Sequence, residues 1–386
     1  LTKRVPVGIT DDFFEIGGHS LKATYLVNEI RDAFNVDISL REALNTTTPE
    51  TLAKLVQNKD IGTEMLIVRV QKKQYYEMSS VQKNMYILWK MNKKTLTYNM
   101  PYVIKINGLV DSNKLCSAVS KIIEAFEILR TKFSLVNDMF VQIISEDIEP
   151  DYKYIHNSEL NDNQLVESLI EPFDLENDRL LRVRLINRDT YNLLFVDMHH
   201  IICDGISVCN FMSYLASVYN GKLIEVPELQ YKDYSEWINN RSIESQGAFW
   251  KHVFKNNYTN LEIPTDFARP PLQSFNGTTI DFYIEGRHYN AIKKLLKKYR
   301  VTDYMFLLST IMVLLQKFSR QEDIVVGTPI SGRVNAGTEK MLGMFVNTLA
   351  MRGYPRKNRS FLDFMLETAS FCREAYQNQE EIGRAS

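Results

Sequence analysis

Cysteine is scarce in this sequence: four in 386 residues, Cys116, Cys203, Cys209 and Cys372, with no pair at the spacing of a metal knuckle or a redox CxxC. A disulfide-built scaffold and a zinc ribbon are thereby excluded. Two of the four fall in apolar surroundings, where a free thiol acts as a small hydrophobe, and a reducing cytoplasm is the natural reading. An excess of charge of one sign is also missing, since 46 Lys and Arg stand against 47 Asp and Glu, a net of −1. Such a chain has no global field for steering nucleic acid or anionic lipid, so neither nucleic acid nor a membrane is expected as a partner. The local basic run Lys293, Lys294, Lys297, Lys298 and Arg300 reads as the solvated face of a helix. No stretch approaches about 18 apolar residues, and the N-terminus lacks the basic, then apolar, then small-residue order of a signal peptide. The chain opens at Leu1, without methionine, inside what reads as a domain, and is expected to be a piece of something longer.

What is present is an ordinary globular composition, 45% hydrophobic and 24% charged, long enough for two or three domains of about 150 residues. From Asp11 to about Asn58 the pattern is a small helical unit: Leu21, Tyr25, Leu26, Ile30, Ala33 and Phe34 recur at helical spacing, and Thr48-Pro49-Glu50 is a helix start. Asn58 to about Ser79 has no clear period and reads as a linker, with Met65 to Val70 able to pair as a short strand. After Ser80, helical and strand patterns alternate for the rest of the chain, which argues an α/β body. Asp111 to Leu129 carries the stripe Leu115, Val119, Ile122 and Phe126 behind a cap at Asp111 or Ser112. Leu193 to Met198 is an apolar strand covered on both faces. A helix over Asp303 to Phe318 and a buried strand, Ile324 to Val326, ending at Gly327, repeat the theme, so two similar α/β lobes are expected.

Two constellations carry chemistry. In Gly17-Gly18-His19-Ser20-Leu21-Lys22 a glycine loop delivers Ser20 to a helix start, where free amides and the positive helix end can receive a phosphate. Read alone, Ser20 is better explained as a helix cap. The longer string Asp11 to Leu21, DDFFEIGGHSL, resembles the signature of peptidyl carrier proteins. That resemblance covers roughly residues 1 to 58 and implies a 4′-phosphopantetheine arm held covalently by Ser20 through a phosphodiester. It also implies that the first helix of a complete carrier domain would lie ahead of Leu1.

The second constellation is His199-His200-Ile201-Ile202-Cys203-Asp204-Gly205, where an apolar strand opens into a glycine turn. Adjacent histidines on a strand point to opposite faces, so at most one reaches a cleft, where it can hold or accept a proton near neutral pH. Paired histidines also raise zinc, but HExxH is absent and Cys203 alone stands nearby, so no metal is expected. The string resembles the HHxxxDG of condensation domains, relatives of chloramphenicol acetyltransferase. The resemblance places His200 as the histidine in a tunnel between two lobes and makes Asp204 a structural residue held by an arginine, with Arg333 in Gly327 to Arg333, GTPISGR, as the candidate. Gly205 and its neighbouring amides are candidates for holding an oxyanion, and His199, Asp204 and Gly205 join His200 in the catalytic turn.

Further words of that family follow in order: Met78 to Gln82, Glu127 to Phe133, Tyr231-Lys232-Asp233-Tyr234, and Gly343 to Thr348. Phe126 departs from the histidine common in the second word, and Lys83 to Leu88 follows the first only loosely; both bear on substrate preference rather than reaction type. Asn378-Gln379-Glu380 begins a late word shortly before Ser386, so the final part of the second lobe is expected to be missing. The expected protein is multidomain: a small helical-bundle carrier domain over 1–58, a linker over 59–78, and a two-lobed α/β chloramphenicol-acetyltransferase-like condensation domain with lobes over 79–245 and 246–386, the C-terminal lobe incomplete. It resembles a fragment of a bacterial nonribosomal peptide synthetase that joins a carrier-bound donor acyl or peptidyl thioester to a carrier-bound acceptor aminoacyl thioester. Implied partners are an upstream adenylation domain, downstream adenylation and carrier domains, and a phosphopantetheinyl transferase. The competing readings are an epimerization domain, which also follows a carrier with HHxxxDG, and a catalytically idle relative serving as a protein-recruitment platform.

Overall fold

The computed structural model describes residues 7–380 apart from 19, 35, 37, 39, 60–66, 157–158, 189, 242–243, 257, 259, 271–276, 334 and 336. The chain divides into two compact units, one of Met65–Ser242 with Asn335–Val346, the other of Leu1–Glu64, Ile243–Val334 and Asn347–Ser386.

The N-terminal helices are α1 (Ser20–Phe34), α2 (Leu40–Asn45) and α3 (Pro49–Gln57). Helix α3 starts as its sequence predicts: the Thr48 hydroxyl accepts from the Thr51 N–H, the Thr51 hydroxyl accepts from the Thr48 N–H, and Pro49 sits where no amide is needed. Val27, Ile30, Val36, Ile38 and Ala43 make a small core of their own, and Phe13, Ala23 and Leu44 a second. Within the same unit, α2 meets the late helix Phe361–Gln377, and Glu15 pairs with Lys297 at 2.8 Å.

The unit centred on 65–242 holds β1 (Tyr76–Glu77), α4 (Ser80–Met91), β2 (Asn99–Asn107), α5 (Ser112–Ala125), β3 (Thr131–Val136), β4 (Met139–Ile144), β5 (Asp151–His156), α6 (Asp162–Leu169), β6 (Leu181–Asn187), β7 (Tyr191–His199), α7 (Gly205–Tyr219) and α8 (Tyr231–Asn240). Its main sheet has the order β2-β7-β6-β5, antiparallel except for β5 with β6; a smaller sheet has the order β1-β4-β3. Strand β7 is paired on both edges and buried from Asn192 to His199, which is why it reads as an apolar run without alternation. The Asp111 carboxylate caps α5 at the Lys114 N–H, 2.9 Å away, and Leu115, Val119 and Ile122 pack inward. Residues 65 and 66 lie outside the described residues, and 67–70 form no strand. Instead the Val70 N–H donates to Asp233 at 2.8 Å, fastening the segment to α8.

The other unit adds α9 (Glu244–Val253), α10 (Gly286–Tyr299), α11 (Asp303–Ser319), β8 (Ile324–Ile330), β9 (Asn347–Gly353) and α12 (Phe361–Gln377). Met312, Ile324, Leu349, Met351, Met365 and Cys372 lie in its core. Strand β8 runs past Gly327 to Ile330, because Gly327, Thr328 and Pro329 stand opposite Ala350, Leu349 and Thr348 of β9. Among the described residues β8 has a partner on one side only, the position where a strand tolerates proline. The basic face of α10 is solvated, with Leu296 its buried residue and Lys293 held by Asp303 at 2.7 Å.

Candidate active site and carrier attachment site

Ser20 is the first residue of α1; its side chain, and His19 entirely, lie outside the described residues. The loop before it is shaped by backbone contacts: the Gly18 N–H donates to Phe13 O at 2.8 Å, and a Cβ on Gly18 would stand 2.3 Å from that oxygen. Gly17 has φ +88°, the left-handed region that favours glycine. No acidic residue occupies the first turn of α1, and Lys22 reaches back to Gly17 O at 3.0 Å. A helix N-terminus without carboxylates suits the phosphodiester of a phosphopantetheine arm.

The two adjacent histidines have different surroundings. Strand β7 ends at His199, which is 2% exposed, lies edge-on to the Phe173 ring and accepts the Ile201 N–H on Nδ1 at 3.1 Å. Burial, with the neighbouring His200 adding to it, pushes its pKa down to about 3, so His199 is neutral with its hydrogen on Nε2. His200 leaves the strand into a single 3-10 turn, His200–Ile202, and is only partly buried. Its backbone N–H donates to Tyr98 O at 2.8 Å, and its Nδ1 lies 2.7 Å from Cys203 O. A carbonyl only accepts, so Nδ1 carries the hydrogen and Nε2 of the neutral ring is the nitrogen that can take a proton.

Asp204 is fully buried and caps α7. Its Oδ1 accepts from the Ser207 N–H at 2.7 Å and lies 2.8 Å from Ser207 Oγ, while Oδ2 accepts from the Phe345 N–H at 3.4 Å. Ser207 Oγ also lies 2.9 Å from Gly343 O and accepts the Gly343 N–H at 3.0 Å. Gly205 opens α7, exposed, with nothing within 4 Å of where a Cβ would stand. Around this turn the separate sequence words come together. The hydroxyls of Ser79 and Tyr231 meet at 2.9 Å, Tyr231 donates to Met344 O at 2.6 Å, and Gln82 Nε2 donates to Ile201 O at 3.3 Å. Lys232 pairs with Glu127 at 2.7 Å. Gly343 abuts the Tyr231 ring so closely that a Cβ would stand 1.9 Å from a ring carbon.

Arg333 is 2% exposed and belongs to the other compact unit. Reading by motif missed the individual roles of Ser207, Gln82 and Tyr98. Ser207 had a local signal, three residues past a capping aspartate; Gln82 also pairs with the Ser79 cap; Tyr98 contributes a carbonyl, which no side chain announces. It also missed Asp197, two residues before His199 on the same face of β7. That carboxyl accepts from Asn99 at 2.7 Å, and burial pushes its pKa up to about 6.

Comparison with known families matches residues 72–381 to the condensation domain and residues 2–56 to the phosphopantetheine attachment site. Bacitracin synthase 2 of Bacillus licheniformis is 38% identical over 379 residues, 97% of this chain. Gramicidin S synthase 2 of Aneurinibacillus migulanus is likewise 38% identical over 97% of the chain. The chain spans only 14% and 8% of the length of these two relatives. Among solved structures, the X-domain from teicoplanin biosynthesis, in its complex with OxyB, aligns with a TM-score of 0.76 at 21% identity, covering 83% of this chain and 74% of that one, and so shares the fold. With the family match spanning most of its length and a carrier match ahead of it, the chain belongs to the condensation-domain family, placed behind a phosphopantetheine attachment domain as in nonribosomal peptide synthetases.

Proposed function

We propose that this chain forms an amide bond between a donor acyl or peptidyl group and an acceptor aminoacyl group, both presented as carrier-bound thioesters, within a nonribosomal peptide synthetase. The observation that carries the reading is the set tautomer of His200, with Nδ1 committed to Cys203 O and Nε2 left as a proton acceptor at the end of a buried strand. When bound at Ser20, the phosphopantetheine arm supplies the donor as a reactive thioester. His200 Nε2 accepts a hydrogen bond from the attacking amine, which orients the amine's lone pair, and takes its proton as the C–N bond forms and the donor's C–S bond breaks; the released pantetheine thiolate takes up a proton. Tethering contributes through proximity, so the protein's share of acid–base work is modest. His199, neutral and buried, is structural: it fixes the Ile201 amide and so the direction of the turn. Asp204 holds α7 against 343–345, and the amides at Gly205, where α7 begins, are assigned to the developing oxyanion charge.

In this reading the carrier occupies 1–58, a linker 59–78, and the lobes 79–245 and 246–386. The partners are adenylation domains on either side, a downstream carrier and a phosphopantetheinyl transferase, all in the cytoplasm. The test is loading: incubation with a phosphopantetheinyl transferase and coenzyme A adds one phosphopantetheine mass at Ser20 and none to Ser20→Ala. Modification at another residue, or none on well-folded protein, contradicts the carrier assignment.

A further inference from the structure

The unit built around 65–242 contains a cavity of about 460 Å³ whose lining includes none of the residues proposed for the condensation chemistry. Residues 69–73 line one side of it and are fastened at two points, by Val70 N–H to Asp233 at 2.8 Å and by Lys73 N–H to the Tyr76 hydroxyl at 2.9 Å. Five cationic side chains, Arg69, Lys72, Lys73, Arg130 and Lys232, line it against two carboxylates, Glu127 and Glu146, a local excess of three positive charges in a chain whose sum is −1. Lys72 is neutralised by Glu146 at 2.6 Å, Lys232 by Glu127 at 2.7 Å, and Lys73 reaches Glu236 at 3.0 Å. Among the described residues, Arg69 and Arg130 have no carboxylate within 4.0 Å. Arg130 donates to Ser145 O through Nη1, while its Nε is buried without a hydrogen-bond partner.

A guanidinium presents its donors as a fork that matches a phosphate, and two guanidiniums without a carboxylate partner among the described residues line this cavity. The cavity is within the usual size range for small-molecule sites, larger than a bare inorganic anion needs, and Tyr76, Ile144 and Val70 give it an apolar wall. We infer that this cavity binds a phosphorylated organic small molecule, its phosphate held by Arg130 and Arg69 and its organic part lying against Val70 and Ile144. The inference does not depend on the carrier or on amide formation.

Isothermal titration of the full chain at constant ionic strength tests it, with phenyl phosphate, inorganic phosphate and chloride as probes. Phenyl phosphate is expected to bind one site at least about tenfold more tightly than inorganic phosphate, with chloride giving no saturable heat. Arg130→Gln loses about tenfold or more, Arg69→Gln several-fold, and His200→Ala binds like the parent. Thermal melting checks the fold of Arg130→Gln; should that variant not fold, the exposed Arg69→Gln and Lys73→Gln carry the test. Absence of saturable binding in the millimolar range, parental affinity in the folded arginine variants, or inorganic phosphate binding as tightly as phenyl phosphate overturns the assignment.

Discussion

Asp204→Ala is expected to act mainly on stability. The substitution removes the acceptor for the Ser207 N–H at 2.7 Å and the Ser207 hydroxyl at 2.8 Å, which ends the capping of α7. Loss of a cap costs about 1 kcal/mol. It also leaves the Phe345 N–H, itself buried, without its carboxylate; that bond is long at 3.4 Å, so the lower part of the range of about 1–3 kcal/mol for an orphaned donor applies. Together the lost cap and the orphaned amide put the total at about 2–3 kcal/mol. Asp204→Asn retains a capping oxygen for Ser207 but sets an NH2 against the Phe345 N–H, so it should lose less, about 1 kcal/mol. Urea unfolding of parent, Asn and Ala variants, followed by far-UV circular dichroism, gives the order directly. An Ala variant within about 1 kcal/mol of the parent, yet inactive, would refute the reasoning and make Asp204 a chemical residue.

Two further perturbations test the neighbours of that turn. His199 has a folded pKa of about 3, below its unfolded value of about 6.5, so the stability it contributes is complete above pH 6.5 and is lost as pH falls from there toward 3. His199→Asn keeps an acceptor for the Ile201 N–H but does not titrate. It should flatten the fall in stability between pH 7 and 5.5 by about 1 kcal/mol, and an unchanged acid limb in urea melts at the two pH values would count against a neutral, buried His199. Gly343→Ala sets a Cβ 1.9 Å from the Tyr231 ring and disturbs the Tyr231 bonds to Ser79 and Met344, so a loss of about 3 kcal/mol or more in thermal melting is expected, and parental stability would mean that this contact is loose.

Local physics was readable in the sequence where one element carried it alone. Strand β7 was legible because both faces are covered, and Thr48 and Asp111 because a cap bonds amides within three residues. The loop before Ser20 was legible because Gly17 and Gly18 have no side-chain alternative. The continuation of β8 past Gly327 and Pro329 was not, since it depends on a strand about twenty residues later. Strand alternation did not say which histidine leaves the packed strand, though the family resemblance named His200; the break from strand to 3-10 turn between His199 and His200 is the physical reason. The bonds that gather Ser79, Tyr231 and Met344 join residues more than a hundred positions apart, and no periodicity announces them. Family words named those residues, and the geometry assigns what each one touches.

The central claim is that His200 Nε2 handles the proton of the attacking amine, and single-turnover amide formation tests it most directly. The chain, loaded at Ser20 with a donor acyl group, is mixed with an acceptor aminoacyl thioester, and product is followed by mass spectrometry for the parent and for His200→Ala, with Ser20 loading and thermal melting measured on both. The account predicts that His200→Ala loads and melts like the parent and forms amide about 10²–10⁴-fold more slowly. Amide formation at the parental rate by the loaded variant would contradict it and leave tethering as the whole source of the rate.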